Sequence, residues 1–389
     1  MATNADVLAE RAHALVPALR GRAQQANEMR RIQDETIKDF WDAGLLGVLK
    51  PQMFGGAELR YDKFAELSGE LGRGDGSAAW IYAVLNVHDH LIALYPEEAQ
   101  KELWADPRMI CASSFLPGGK ALPAPGGWRL SGKWSFCSGV DAAQWMLLGG
   151  IFGISGDPPH PDVRFTLVPI RDCKIVDDWH VIGLRGTGSK SVVVENALIP
   201  EHRVLGFDAF ASGQTPGGKL HPNPIYSAPQ WAVFPFTIAS PAAGIARGAF
   251  ETYVEQVKAR STAFGESMSQ FRSIQMRVAE AGALIDAAEL LYRRSCRETI
   301  DKIMAGTPLT LEHRVRSRRD QSYSVEMAKR ATELLFKSLG GKGLYDGDPV
   351  QRAFRDLQGV SMHIASVWDV ASALYGQVIL GGKPTEMIF

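Results

Sequence analysis

The chain has 389 residues, 46% of them hydrophobic and 22% charged, enough for two or three packed layers or sub-domains and for burying a large ligand. A formal net charge of −1 and a pI near 6.8 leave no basic footprint, which argues against nucleic acid or an anionic membrane as a general partner. The four cysteines, Cys111, Cys137, Cys173 and Cys296, lie far apart with no C-x-x-C pair, so neither a zinc site nor a disulfide framework is expected, and a reducing cytoplasm fits best.

The N-terminus, with Asp6 and Glu10 among alanines and leucines, has the character of neither a signal nor a transit peptide, and no apolar run is long enough to span a bilayer. Up to Pro107 the pattern is helical. Leu8, Ala12, Leu15 and Leu19 keep the spacing of a buried face, and Ile37, Trp41, Leu45 and Val48 repeat it before Pro51. After a Pro/Gly-punctuated loop, Phe64, Leu67 and Leu71 begin another helix. Ser77 reads as the N-cap of the next, whose faces carry Trp80, Val84, Val87 and His88. A histidine on a largely apolar face is more often a satisfied core residue than a catalyst, so both readings of His88 stay open.

From Met109 to Leu205 short strands take over, at 109–115, 128–136, 145–152, 164–169, 174–181 and 191–199, which predicts an antiparallel β domain. Within it, SGKWSFCSG (Ser131–Gly139) alternates Trp134 and Phe136 with Ser135 and breaks into a small-residue turn. Trp134 could cover the face of a flat ring such as an isoalloxazine, with the Ser138 hydroxyl and backbone N–H groups as donors; an ordinary Ser-Gly turn is the plainer reading. The stretch 206–236, rich in Gly, Pro and aromatics including Tyr226, reads as a lid or pocket wall, or as a subunit-packing segment.

From Thr237 helices return. Ile274, Val278, Ala281, Ile285, Ala288 and Tyr292 mark one long helix, and Leu357, Val360, Ile364, Val367, Ala371 and Leu374 mark the last. RVRSRRD (Arg314–Asp320) reads as a solvated basic helix face, more rarely an anion site. SLGGKGLYDGDPVQRAFRD (Ser338–Asp356) puts a glycine-rich turn before a new helix, where a phosphate can meet N–H groups. The expected architecture is α+β and mostly α: an N-terminal helical domain over 1–107, a middle β domain with a lid-like loop over 108–228, and a C-terminal four-helix bundle over 229–389.

Four stretches in this order, GLLGVLKPQMFGG, GKWSFCSG, VIGLRGTGSKSVVVENALIPEHRVLG and LGGKGLYDGDPVQRAFRD, resemble the acyl-CoA dehydrogenase superfamily over nearly the whole chain, and within it the two-component flavin-dependent monooxygenases. In many of the dehydrogenases a glutamate follows the late Arg-Asp pair and removes the substrate α-proton. Here Ile364 stands in its place, and an aliphatic side chain cannot act as a base.

The resemblance implies an oxygenase component that uses reduced flavin (FADH2 or FMNH2) as a diffusible co-substrate from a separate flavin reductase, and O2, through a C4a-hydroperoxyflavin, to hydroxylate a phenol- or indole-like small molecule. It also implies a homotetramer. Ser138 matches the serine beside the flavin N5, unless a one-residue shift brings Cys137 there. Ser113 and Ser114 match pocket serines. Arg260, Phe264, Gly340, Gly341 and Gly343 match cofactor contacts across an interface, and Trp80, His88, His363 and Tyr226 are expected at the substrate, with His363 or His88 as its base. An acyl-CoA dehydrogenase, an amino-sugar N-oxygenase and a catalytically silent flavin carrier are the competing expectations.

Overall fold

The computed structural model describes residues 5–157, 159–262 and 264–384. Helices α1 (Ala5–Met29), α2 (Asp34–Asp42), α3 (Tyr61–Gly72), α4 (Gly76–Ile92) and α5 (Glu97–Leu103) come first. Strands β1 (Cys111–Ala124), β2 (Gly127–Cys137), β3 (Trp145–Ser155), β4 (His160–Pro169), β5 (Cys173–Val176), β6 (Lys190–Ile199) and β7 (Val204–Gly206) follow. After the short helices α6 (Phe207–Ser212), α7 (Pro216–Leu220) and α8 (Gln230–Val233), the chain ends in α9 (Pro235–Lys258), α10 (Arg272–Met304), α11 (Leu311–Ser338), α12 (Pro349–Ser361) and α13 (Trp368–Ile379).

The fold is organised around α4. Every residue from Gly76 to Ile92 is buried, the signature of a helix apolar on all sides, and the helix touches α1, α3, α9, α12, β1 and the turn at Arg185–Thr187. Its N-cap is Asp75, whose carboxylate accepts the Ala78 N–H at 2.9 Å; Ser77, expected in that role, lies inside the first turn. Helices α9, α10, α11 and α12 form the C-terminal bundle, and α13 packs on α11.

The seven strands form one sheet in the order β5-β6-β2-β1-β3-β4-β7. The sheet is mixed where an antiparallel one was expected, because β3 returns alongside β1 in parallel, Cys111 opposite Trp145. Alternating hydrophobic strands carry no mark of pairing direction, so the sequence pattern could not distinguish the two. Trp134 fills the interior of this domain: a Cβ on Gly119 would lie 2.2 Å from its ring, and its Nε1 donates to Gly149 O at 2.6 Å.

The C-terminal pattern read as one last helix is broken. Residues 362–367 form a turn between α12 and α13, although the apolar period runs on through it. Close by, the loop before β6 docks on α12. A Cβ on Gly183 would sit 2.0 Å from Arg355 O, so only glycine allows the approach. Asp356, buried, accepts the Leu184 N–H at 2.6 Å, and Arg355 Nη1 donates to Ile182 O at 2.6 Å.

Asp356→Ala removes the acceptor of a buried N–H, a loss that costs about 1–3 kcal/mol. Denaturant unfolding of this variant should show that drop, with faster amide exchange over 184–189. An unchanged midpoint and unchanged exchange would mean that other contacts hold the loop.

Candidate active site

Three parts of the chain meet at the N-terminal half of α4. Trp80 Nε1 donates to Ser138 Oγ at 3.2 Å, and the Trp80 ring stands edge-on to the imidazole of His363 with centroids 5.6 Å apart. Trp80 comes from the N-terminal helices, Ser138 from the turn after β2, and His363 from the α12–α13 break. Cys137 is fully buried in the β domain with its thiol pushed up to about 12, mainly by burial, while Ser138 is half-buried at the junction. The hydroxyl, and not the thiol, therefore faces Trp80.

Ser138 belongs to a chain of hydroxyls with a fixed polarity. Thr187 Oγ1 donates to Leu184 O at 2.8 Å, so at the 2.6 Å contact between Thr187 and Ser189 the proton comes from Ser189. Ser189 in turn accepts from Ser138 at 2.7 Å. With its own proton spent and one lone pair taken by Trp80, Ser138 offers one further acceptor site, where the sequence reading made it a donor.

The two histidines are held in opposite tautomers. His88, buried, lies two turns past Trp80, about 12 Å along α4. Its Nδ1–H donates to Cys111 O at 2.6 Å, leaving Nε2 to accept the Ser113 hydroxyl at 2.7 Å. Burial lowers its pKa to about 4 against the smaller raising effect of the Cys111 carbonyl, so its lone pair stays free near neutral pH. At His363 the Ala365 N–H donates to Nδ1 at 3.1 Å, which in the neutral ring puts the proton on Nε2. Burial first, and the Arg318 guanidinium second, lower this pKa to about 4 as well. His363 thus presents an N–H donor at Nε2, and of the two rings it is His88 whose Nε2 is the acceptor, toward Ser113. Ser114, the next residue along β1, is buried and by the pleat faces away from His88.

Other expected site residues lie elsewhere. Trp134 is a core residue with no free ring face, which corrects its assignment to a ligand. The exposed aromatic of that strand is Phe136, at φ +63° and 62% exposed, edge-on to Trp179 at 6.0 Å. A bulge between Trp134 and Cys137 shifts the register and turns Phe136 out, and alternation alone could not reveal it. Tyr226 is buried between His90, 5.4 Å away and stacked, and His221, at 4.7 Å, with its hydroxyl on Leu49 O. The two imidazoles bond Gln230 and Gln100, so this part of the stretch read as a lid is fastened down, and Tyr226 is apart from Trp80, Ser138 and His363. Arg260 Nη1 donates to Leu339 O at 3.3 Å, which brings it to the loop of Gly340, Gly341 and Gly343; Phe264 is 94% exposed.

These residues fit a reduced flavin on their own chemistry. An exposed aromatic held in a strained left-handed conformation supplies a ring face, Ser138 an acceptor for a ring N–H, and His363 a donor.

Residues 8–110 match the family described as acyl-CoA dehydrogenase, N-terminal domain, and residues 236–368 the family described as acyl-CoA dehydrogenase, C-terminal domain. The chain is 38% identical over 380 residues to the FADH(2)-dependent resorcinol hydroxylase, oxygenase component, of Rhizobium sp. (strain MTP-10005), covering 94% of this chain and 92% of that protein. It superposes on the HsaA monooxygenase of M. tuberculosis with a TM-score of 0.93 at 31% identity, over 100% of each chain. XiaF from Streptomyces sp., solved in complex with FADH2 and glycerol, gives 0.89 at 26% identity, over 98% of this chain and 97% of that one.

At pH 8, iodoacetamide should leave Cys137 unmodified in the native protein and label it once urea unfolds the chain, as peptide mass spectrometry would show. Rapid native labelling would mean that the thiol, and not Ser138, faces outward.

Proposed function

The chain belongs to the acyl-CoA dehydrogenase superfamily, in its branch of flavin-dependent monooxygenase oxygenase components, and from that premise we propose that it hydroxylates a small phenol- or indole-like molecule with O2 and reduced flavin from a separate reductase. The observation that carries the reading is one acceptor histidine, His88, two turns past Trp80 on the buried helix α4, and one donor histidine, His363, brought against Trp80 from the α12–α13 turn.

When bound, reduced flavin supplies the two electrons that let one oxygen atom of O2 enter the substrate while the other leaves as water. Ser138 would hold the ring N5–H that reduced flavin carries by accepting from it, since the hydroxyl chain through Ser189 and Thr187 commits its own proton. Phe136 would supply an aromatic face against the ring. His363 would donate a hydrogen bond from Nε2–H toward an oxygen atom at the reacting centre, and its low pKa keeps the ring neutral with that single N–H.

On the substrate side, Ser113 accepts the substrate O–H or N–H while its own proton is shared with His88 Nε2. With a pKa of about 4, His88 shares this proton without taking it over, which still raises electron density on the aromatic ring. Ile364, where a dehydrogenase would need its base, is 61% exposed and inert.

We read the working form as a cytoplasmic homotetramer. Phe264, Leu344 and Tyr345, all largely exposed near the Arg260–Leu339 contact, support an interface there. Analytical ultracentrifugation should give four times the mass of one chain; a monomer that binds reduced flavin tightly would contradict it.

Mixing the anaerobic protein and reduced flavin with oxygen in a stopped-flow spectrometer should give a transient spectrum distinct from those of reduced and oxidised flavin. Direct reoxidation without a transient would overturn the oxygenase reading. Ser138→Ala should release hydrogen peroxide roughly tenfold to a hundredfold faster, the equivalent of a bond of about 1–3 kcal/mol. Ser113→Ala and His88→Asn should keep the transient but slow hydroxylation by roughly 10²- to 10⁴-fold. In the unsubstituted protein a base with pKa about 4 predicts a flat hydroxylation rate across the neutral range, where an ordinary histidine would give an inflection.

A further inference from the structure

Among the described residues, the arginine that helix α11 buries has no carboxylate partner. Arg318 is 6% exposed, and its guanidinium goes to two backbone carbonyls, Nη2 to Ile364 O at 2.6 Å and Nη1 to Ala365 O. Its neighbours on the same run are paired otherwise: Arg319 takes Asp320, and Arg316 takes Glu298. Burial lowers the Arg318 pKa to about 10. A buried charge without a counter-ion is costly, so packing stability alone gives no reason to keep it there.

The carbonyls it holds are those the helix break sets free. In a continuous helix Ile364 O and Ala365 O would accept from residues 368 and 369, four positions on. The Val367 N–H keeps the helical bond to His363 O at 3.1 Å, but the Ser366 N–H crowds onto the same carbonyl at 2.6 Å, and the Ala365 N–H goes to His363 Nδ1. The guanidinium replaces the missing helix bonds, a side chain inserted into the ladder as at other sharp helix breaks. Without it, the carbonyls of Ile364 and of the buried Ala365 would lose their guanidinium donor, and the cheapest repair is to run the helix through 362–367, as the apolar period from Leu357 to Leu374 permits. Ala365 N–H would then return to Ser361 O and leave the imidazole.

We infer that Arg318 is a positioning residue that holds the α12–α13 turn open, so that His363 enters the active site as a neutral imidazole carrying its proton on Nε2. The active-site wording rests on the proposed function; the tautomer does not, and it can be measured on the full chain without flavin. Facing the ring are the guanidinium of Arg318 from α11 and the uncharged indole of Trp80 from α4.

The test is nuclear magnetic resonance of protein labelled with ¹³C,¹⁵N-histidine, with His363 assigned by His363→Asn. In the unsubstituted protein His363 should show the Nε2–H tautomer and no protonation above pH 5.5. Arg318→Met should give mixed tautomers and a protonation constant raised at least tenfold, because both the turn and the nearby positive charge are lost. Arg318→Lys keeps the charge but cannot bridge two carbonyls, so tautomers should mix while the titration moves less. If Arg318→Met does not fold, the lysine variant decides. Retention of the Nε2–H signature in the folded variants overturns the inference, whatever the flavin experiments show.

Discussion

The bond from the Leu184 amide to the buried carboxylate of Asp356 is the constraint on which the site depends. It ties the loop before β6 to α12, with Arg355 holding the neighbouring carbonyl of Ile182. Leu184 sits at φ +53°, a strained conformation for a branched side chain, and its carbonyl then receives the Thr187 hydroxyl. From that carbonyl the direction of every hydroxyl out to Ser138 follows. One backbone amide in the β domain, caught by one helix of the bundle, therefore decides which way a serine at the centre of the molecule can hydrogen-bond.

Burial does the rest. The same desolvation that lowers both histidines to about 4 leaves the junction without a mobile positive charge near neutral pH. What distinguishes the two rings is the backbone around them: a carbonyl at Nδ1 makes Nε2 of His88 an acceptor, and an amide at Nδ1 makes Nε2 of His363 a donor. Two residues of the same type thus take opposite parts although burial lowers the pKa of both. Such separation suits oxygen transfer, because the substrate O–H or N–H needs an acceptor while activated oxygen needs a donor that does not release its proton.

Much of the architecture was legible in the sequence because period and punctuation are local properties. The long helices followed from the 3-4 spacing, and most of the strands from short alternating runs between Pro, Gly and Asp clusters. The failures lie where a distant partner overrides a local pattern. The period from Leu357 to Leu374 runs unbroken, yet Arg318, 46 residues from Ile364, takes the carbonyls and breaks the helix. Trp134 and Phe136 look alike on a strand until a bulge sends one into the interior and the other out. Tyr226 sits in an aromatic-rich stretch that reads as a pocket wall, but His90 and His221 pack on both sides of it. Trp80, Ser138, His88 and His363 were all named from the sequence, whereas the proton positions that separate their roles come from backbone groups of Cys111 and Ala365 that no side-chain pattern encodes.

The central claim is that the two histidines face the reaction with opposite ends of the imidazole. Neutron diffraction from deuterium-exchanged crystals near neutral pH would show it directly. The account predicts deuterium on Nδ1 and none on Nε2 at His88, with the reverse at His363. Deuterium on the same nitrogen in both rings, or on both nitrogens of either, would contradict the division between a hydrogen-bond acceptor on the substrate side and a hydrogen-bond donor at the reacting centre.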